Sequence, residues 1–251
     1  MQLSAQTILI TQTHPNHLNL ATQATKLGAN IISKACMQIQ PIAISNMRAQ
    51  AIAQADCWVF LSSHAVRHGL ANLKEYYQGQ YLISIGPSTA DILAEHNLAA
   101  DAIAQPYNSD GIYQLEYFEK NRNIAIFTGK NSPKKLYSLL KKQGHTVYQY
   151  PAYRRLAANP ATFQLSASEL ANITLITSHS KLSLEQLQNC IITAGYTALY
   201  QKTLVVVTEQ MATLAKKIGF NDILISKNPT AKAIIECINS HTKAAKILAT
   251  E

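Results

Sequence analysis

Aromatic and charged residues are scarce in this 251-residue chain, at 7% and 14%, and there is a single tryptophan. No run of ~18 apolar residues occurs, which argues against a membrane-spanning helix. The stretch Met1 to Gln6 is polar, with no charged segment leading into an apolar one. The expectation is a soluble cytoplasmic protein that does not engage a membrane. Only four cysteines are present (Cys36, Cys57, Cys190, Cys237), far apart and without a CxxC pair. That pattern argues against a disulfide scaffold or zinc ribbon and predicts buried free thiols. The motifs GxGxxG, GxxxxGK[ST] and GxSxG are absent, so dinucleotide-binding, P-loop and serine-hydrolase readings have no support.

What is present is a globular composition, 47% hydrophobic, which excludes disorder and collagen-like or coiled-coil chains. The length suits one large domain or two small ones. Charge is uneven. Residues 1–119 hold 5 basic and 8 acidic side chains, and residues 120–251 hold 17 and 6. A basic half attracts nucleic acid, phosphate esters or polycarboxylates. The lysines are spread along amphipathic helices without an aromatic-interleaved stripe, which argues against nucleic acid. A merely solvated basic surface is the plain alternative.

Short apolar runs alternate with helical patterns. Strands are predicted at Thr7–Ile10, from Ile31, and at Cys57–Leu61, Tyr81–Ile85, Ile124–Phe127 and Thr146–Tyr150. Later ones are predicted at Ile173–Ile176, Leu204–Val207 and Ile223–Ile225. Helices are predicted at Leu18–Leu27, from Ala65, from Pro87 to Glu95, at Lys134–Lys142 and from Thr230 to Lys246. Continuous apolar strands between helices indicate α/β architecture with parallel sheets covered on both faces. The order also repeats. Ile8-Leu9-Ile10-Thr11 is matched by Ile124-Ala125-Ile126-Phe127-Thr128, Phe60-Leu61-Ser62-Ser63-His64 by Ile176-Thr177-Ser178-His179, and Ser84-Ile85-Gly86-Pro87 by Val205-Val206-Val207-Thr208. The spacing is roughly 115–122 residues, which implies two similar lobes rather than a solenoid.

Several predicted strands end in small hydroxyl residues and then enter a helix: Ser62-Ser63, Ser88-Thr89, Thr128-Gly129, Thr177-Ser178 and Thr208. Helix N-termini carry unpaired N–H groups that hold anions, although Ser and Thr are also ordinary helix caps. His64 and His68 have the i,i+4 spacing of many metal ligands, but no Glu or Cys accompanies them, so no metal site is expected. His14-Pro15-Asn16-His17 reads as a loop opening a helix. Pro151-Ala152-Tyr153-Arg154-Arg155 sets a phenol beside two guanidiniums near the middle of the chain.

Together these segments resemble the uroporphyrinogen-III synthase family. The resemblance rests on Ile8-Leu9-Ile10-Thr11, Phe60 to Val66, Ile85 to Ala90, Pro106 with Ser109-Asp110-Gly111, and Tyr153-Arg154-Arg155. Val205 to Ala212 and Gly219-Phe220 extend it, all in the right order. The resemblance implies two α/β lobes joined by a pair of connecting segments. One lobe would be discontinuous (residues 1–38 plus 157–251), and the other inserted (41–153). It implies closure of the linear tetrapyrrole hydroxymethylbilane to uroporphyrinogen III, a step in heme biosynthesis, with loss of water, inversion of ring D and no metal or organic cofactor. Tyr153 matches the tyrosine that assists loss of the hydroxyl. Ser62, Ser63, His64, Ala65, Ser88, Thr89, Gly129, Ser178 and Thr208 match loops that bind carboxylates, largely through backbone N–H groups, with Lys130 and Lys134 as added cations.

The partner implied is a polycarboxylated tetrapyrrole bound by a monomer, with transient contact to the enzyme that precedes it. Three arginines of the family pattern are replaced, by Gln12, Pro133 and Gln210, with Lys130, Lys134 and Lys135 as substitutes. The residues themselves leave two other readings open: a two-lobed binder of an anionic small molecule, and an inactive synthase relative.

Overall fold

The computed structural model describes residues 3–13, 17–159 and 162–248. His14, Pro15 and Asn16 of the predicted loop lie outside the described residues. In chain order come β1 (Thr7–Ile10), α1 (His17–Lys26), β2 (Asn30–Ser33), β3 (Met37–Pro41), α2 (Asn46–Ala53), β4 (Cys57–Phe60) and α3 (Ser63–Leu73). Next are β5 (Tyr81–Ser84), α4 (Pro87–Glu95), β6 (Ala102–Ile103), α5 (Ser109–Tyr113), β7 (Asn123–Gly129), α6 (Lys135–Lys142) and β8 (Thr146–Ala157). The last are α7 (Ala167–Asn172), β9 (Leu175–Thr177), α8 (Lys181–Ala194), β10 (Thr203–Val206), α9 (Glu209–Lys217), β11 (Ile223–Ile225) and α10 (Ala231–Leu248).

The chain divides into two compact units. One combines the residues up to Gln38 with those from Leu156 onward, and the other runs from Ile39 to Arg155. The first holds a five-stranded sheet in the order β11-β10-β9-β1-β2, in which every neighbouring pair is parallel. The second holds a sheet in the order β3-β8-β7-β4-β5-β6. Its run β8-β7-β4-β5-β6 is parallel throughout and has the strand order of β2-β1-β9-β10-β11. The sequence predicts two similar lobes, and the structure adds that the equivalent strands also have equivalent neighbours.

Alternation along each strand builds a core on both faces of each sheet. In the first unit Leu9, Ile176, Leu204 and Val206 pack with Leu184, Leu187 and Ile191 of α8 and Met211 and Ala215 of α9. Ile8, Ile10, Leu175 and Val205 turn the other way, onto Leu20 of α1 and Ile234, Ile235 and Ile238 of α10. In the second unit Trp58, Phe60, Ala125 and Phe127 meet Ala65, Val66 and Leu70 of α3. Cys57, Val59, Ile124 and Ile126 meet Leu136 and Leu140 of α6. The thiols of Cys36, Cys57 and Cys190 are buried and free, and Cys237 is half-buried.

Several predicted boundaries differ. The strand beginning at Thr146 does not end at Tyr150 but runs through Pro151 to Ala157. A register shift sets Thr128 opposite Pro151 and Gly129 opposite Tyr153, and an irregularity of this kind is where a strand accommodates a residue without an N–H. Beyond it β3 lies alongside, with Ile42 N donating to Ala152 O and Ala158 N donating to Cys36 O, both at 3.0 Å. Ile173 is buried but follows α7, and the strand begins at Leu175. Lys134 precedes the first turn of α6. The basic half of the sequence is not a structural unit either. Residues 39–155 carry 12 basic and 8 acidic side chains, and the discontinuous unit carries 10 and 6. Among the described residues no helix is long and apolar enough to cross a membrane.

Candidate functional site

Parallel neighbours all end at the same edge of their sheet, so the loops after them gather there. In the inserted unit the adjacent strands β7, β4 and β5 bring together Gly129, Ser62–Ala65 and Gly86–Thr89. In the discontinuous unit β1, β9 and β10 bring together Thr11, Thr177–His179 and Thr208.

Tyr153, on the neighbouring strand β8, stands against the loops at Gly129 and Ser62–Ala65. The residue is 1% exposed, and among the described residues its hydroxyl has two polar partners. Arg155 Nη2 donates to the phenol oxygen at 2.9 Å, with the guanidinium 5.2 Å from the ring centroid. Ser62 Oγ lies 3.1 Å from the same oxygen. The rings of His64 and His68 flank the phenol at 5.4 and 6.0 Å between centroids, and stack on each other at 6.1 Å. Burial and the Arg67 charge depress the His68 imidazole below its ordinary range. Strand alternation explains why Arg155, two residues on, reaches the phenol and Arg154 does not. Arg154 Nε donates instead to Gln40 Oε1 at 2.6 Å. The backbone completes the enclosure: Lys130 N donates to Tyr153 O at 2.7 Å.

The other predicted residues fall as follows. Ser62 caps α3, accepting from Ala65 N at 3.1 Å. Ser63 donates its hydroxyl to Ser88 O at 3.2 Å, tying two strand-end loops together. His64 and Ala65 are buried in the first turn of α3. Ser88 and Thr89 open α4, Ser88 exposed and Thr89 buried, with Gly86 as the cap. Gly129 ends β7, but the chain does not enter a helix there. Residues 130–134 intervene, and Ser132 N bonds back to Gly129 O at 3.2 Å. Lys130 and Lys134 are exposed and line a cavity of ≈ 570 Å³ with Arg48, Tyr137 and Tyr148. Lys135 is exposed, with its ammonium 2.6 Å from Asp110 Oδ1.

In the discontinuous unit Thr208 is exposed and caps α9 through Met211 N at 3.2 Å. Ser178 caps nothing. Ser180 is the cap of α8, and Ser178 Oγ is buried without a hydrogen-bond partner among the described residues. Its neighbours share that condition: Thr177 Oγ1 and His179 Nδ1 are also buried and unpartnered. Thr177 and Ser178 are among the strand-end hydroxyl residues that the sequence singles out, and His179 follows them in the same Thr-Ser-His run. Burial pushes the His179 imidazole down to about 4, so at neutral pH it is uncharged. Thr177 O accepts from Thr11 Oγ1 at 2.7 Å, joining the ends of β1 and β9. An unsatisfied buried hydroxyl costs ~1–3 kcal/mol, and three unpartnered groups in succession beside a helix start suit a ligand with several hydrogen-bonding oxygens. Among the described residues no group of three or more His, Cys, Asp or Glu is placed to hold a metal ion.

Comparison with known proteins bears on both units. The family described as uroporphyrinogen-III synthase HemD matches residues 19–236. No curated protein matches the chain in sequence. A mutant uroporphyrinogen III synthase from the extremely thermophilic bacterium Thermus thermophilus superposes with a TM-score of 0.53 at 16% identity, covering 95% of this chain and 99% of that one. The uroporphyrinogen-III synthetase of Helicobacter pylori gives 0.58 at 14% identity, covering 94% and 99%. Those identities speak for the shared two-lobed α/β fold, whereas the family match spans most of the sequence. The chain belongs to the uroporphyrinogen-III synthase family.

Proposed function

We propose that this protein closes hydroxymethylbilane to uroporphyrinogen III, with loss of water and inversion of ring D. The observation that carries the reading is Tyr153: a phenol held by Arg155 and Ser62 beside the strand-end loops at Ser62–Ala65 and Gly129. The pyrrole's own electrons expel the hydroxyl and leave an azafulvene. Attack by the substituted carbon of ring D gives a spirocyclic pyrrolenine, which fragments and recloses with that ring inverted. Uncatalysed closure gives the other isomer. The protein therefore has to fold the substrate, choose the attacking carbon and supply one proton donor.

The loops at Ser62–Ala65, Ser88-Thr89, Gly129-Lys130, Ser178 and Thr208 hold substrate carboxylates, with Lys134 as an added cation. The unpartnered Thr177, Ser178 and His179 side chains favour that role in the discontinuous unit. We read the two units as the family's discontinuous lobe, 1–38 plus 157–251, and inserted lobe, 41–153. The reading makes the protein a cofactor-independent hydro-lyase that works in the cytoplasm as a monomer. It receives its substrate by transient contact with the preceding enzyme.

The test is to add freshly prepared hydroxymethylbilane, oxidise the product and determine the porphyrin isomer. Type III above the spontaneous type I background is the expected result. Type I alone would overturn the reading and leave an anion-binding relative without catalysis.

A further inference from the structure

The burial of Tyr153 raises a question of proton delivery. A guanidinium has donors only, so in the 2.9 Å contact with Arg155 the phenol oxygen accepts. The phenol has one proton, and Ser62 Oγ, 3.1 Å away, is its other polar partner. A serine hydroxyl has one proton and two lone pairs. Ser62 Oγ already accepts from Ala65 N at 3.1 Å. If it also accepts from Tyr153, its own proton is left for a third group. The opposite direction would have Tyr153 accept from both Arg155 and Ser62 and turn its proton elsewhere. The ring is 1% exposed, with Gly129 against its hydroxyl end and the two histidine rings beside it. Ser62, by contrast, is half-buried at the end of β4.

From this geometry, and resting on the synthase reading above, we infer that Tyr153 does not protonate the leaving hydroxyl itself: Ser62 hands the proton on, and Arg155 fixes the direction of transfer. As the carbon–oxygen bond of the substrate breaks, its electron pair leaves with the oxygen. The Ser62 proton joins that oxygen to make water, and the Tyr153 proton moves to Ser62. The phenolate that remains sits beside the Arg155 guanidinium. When the ring carbon that formed the new bond loses its proton and the pyrrole regains aromaticity, that proton returns through Ser62 to Tyr153. One water is lost per turnover and the enzyme is unchanged. Ser62 and Tyr153 are the catalytic residues of this relay, and Arg155 is a positioning residue.

The experiment measures type III formation, kcat and KM, together with rates in mixtures of light and heavy water. It compares the wild type with Ser62→Ala, Ser62→Thr, Tyr153→Phe and Arg155→Met. Two protons moving together give a bowed dependence on deuterium fraction in the wild type. Ser62→Ala lowers kcat about 10²-fold with KM unchanged and makes the dependence linear. Tyr153→Phe lowers kcat by about 10²–10⁴-fold and is likewise linear. In Arg155→Met the phenol loses its fixed direction, so kcat falls and the bow is lost. Ser62→Ala also removes a helix cap, a cost of ~0.5–2 kcal/mol. Ser62→Thr keeps both cap and hydroxyl and restores turnover and bow. Wild-type kcat in Ser62→Ala, a raised KM at unchanged kcat, or a linear dependence in the wild type would each overturn the relay while leaving the synthase reading intact. A wild type that yields only type I overturns both.

Discussion

Gly129 and Tyr153 fit each other across neighbouring strands. A methyl group on Gly129 would lie 3.0 Å from the Tyr153 Cζ and 3.1 Å from its hydroxyl oxygen. The phenol has little room to retreat, since His64, His68 and Arg155 flank it. Gly129→Ala is therefore expected to displace the hydroxyl by a few tenths of an ångström. Overpacking of this kind costs ~1–3 kcal/mol, and misplacing a reacting group costs up to about 10²-fold in rate. Isomer-resolved turnover beside a thermal melt checks both; wild-type turnover would mean that the ring yields freely.

Thr177 makes a different prediction, because its buried hydroxyl has no hydrogen-bond partner among the described residues. Thr177→Val removes that hydroxyl and keeps the shape, so stability should stay level or rise by ~1–3 kcal/mol. The backbone bond from Thr11 to Thr177 O is untouched. If the hydroxyl binds a substrate carboxylate, affinity for uroporphyrinogen III falls about tenfold, or ~1.4 kcal/mol. Calorimetric titration with the product together with melting curves separates these effects. A Val variant that melts lower and binds normally would make the hydroxyl structural.

His179 gives the fold a pH dependence whose sign can be worked out. Its folded imidazole is depressed by burial to about 4, against 6.5 ordinarily. Above pH 6.5 it is neutral in both states, and its full contribution to stability is present. As pH falls from there, the unfolded chain takes up a proton that the folded chain refuses, so stability erodes until the folded group protonates near pH 4. The loss is on the order of 3 kcal/mol. Melts of the wild type and His179→Gln between pH 7.5 and 4.5 should show the variant losing less stability as the pH falls. Parallel pH profiles would exclude His179 as the source.

Much of the fold was legible because the strands are continuous apolar runs. Cys57 to Phe60 reads as a strand covered on both faces, and the echo of Phe60–His64 in Ile176–His179 placed β4 and β9 in equivalent positions. The β8 extension was hidden by Pro151 and the two arginines, which imitate a loop. The register shift between Thr128 and Gly129 falls beside Pro151, and the arginines follow it in the same strand. The segments Met37–Pro41 and Asn46–Ala53 carry too few apolar residues in period to announce β3 and α2. The charged half of the sequence misled because the inserted unit cuts across it. At the site, hydroxyl residues after strands correctly located the carboxyl edges. Whether each is a cap, like Ser62 and Thr208, or an unpartnered group, like Thr177 and Ser178, depends on neighbours that spacing does not reveal.

The discontinuous unit also has an order of assembly written into it. Thr7, next to the centre of its sheet, donates its N–H to Thr174 Oγ1, 167 residues further on. On the ribosome β1 and β2 therefore emerge without their inner neighbour, and the whole span from Ile39 to Arg155 follows before β9 exists. Closing so long a span as a flexible loop costs entropy that rises with the logarithm of its length. Once the inserted unit has folded, β3 and β8 hold its two ends side by side, and the span becomes a short, fixed junction. The insertion works as a scaffold for the unit it interrupts, bringing the first strand and the last third of the chain to a common starting point.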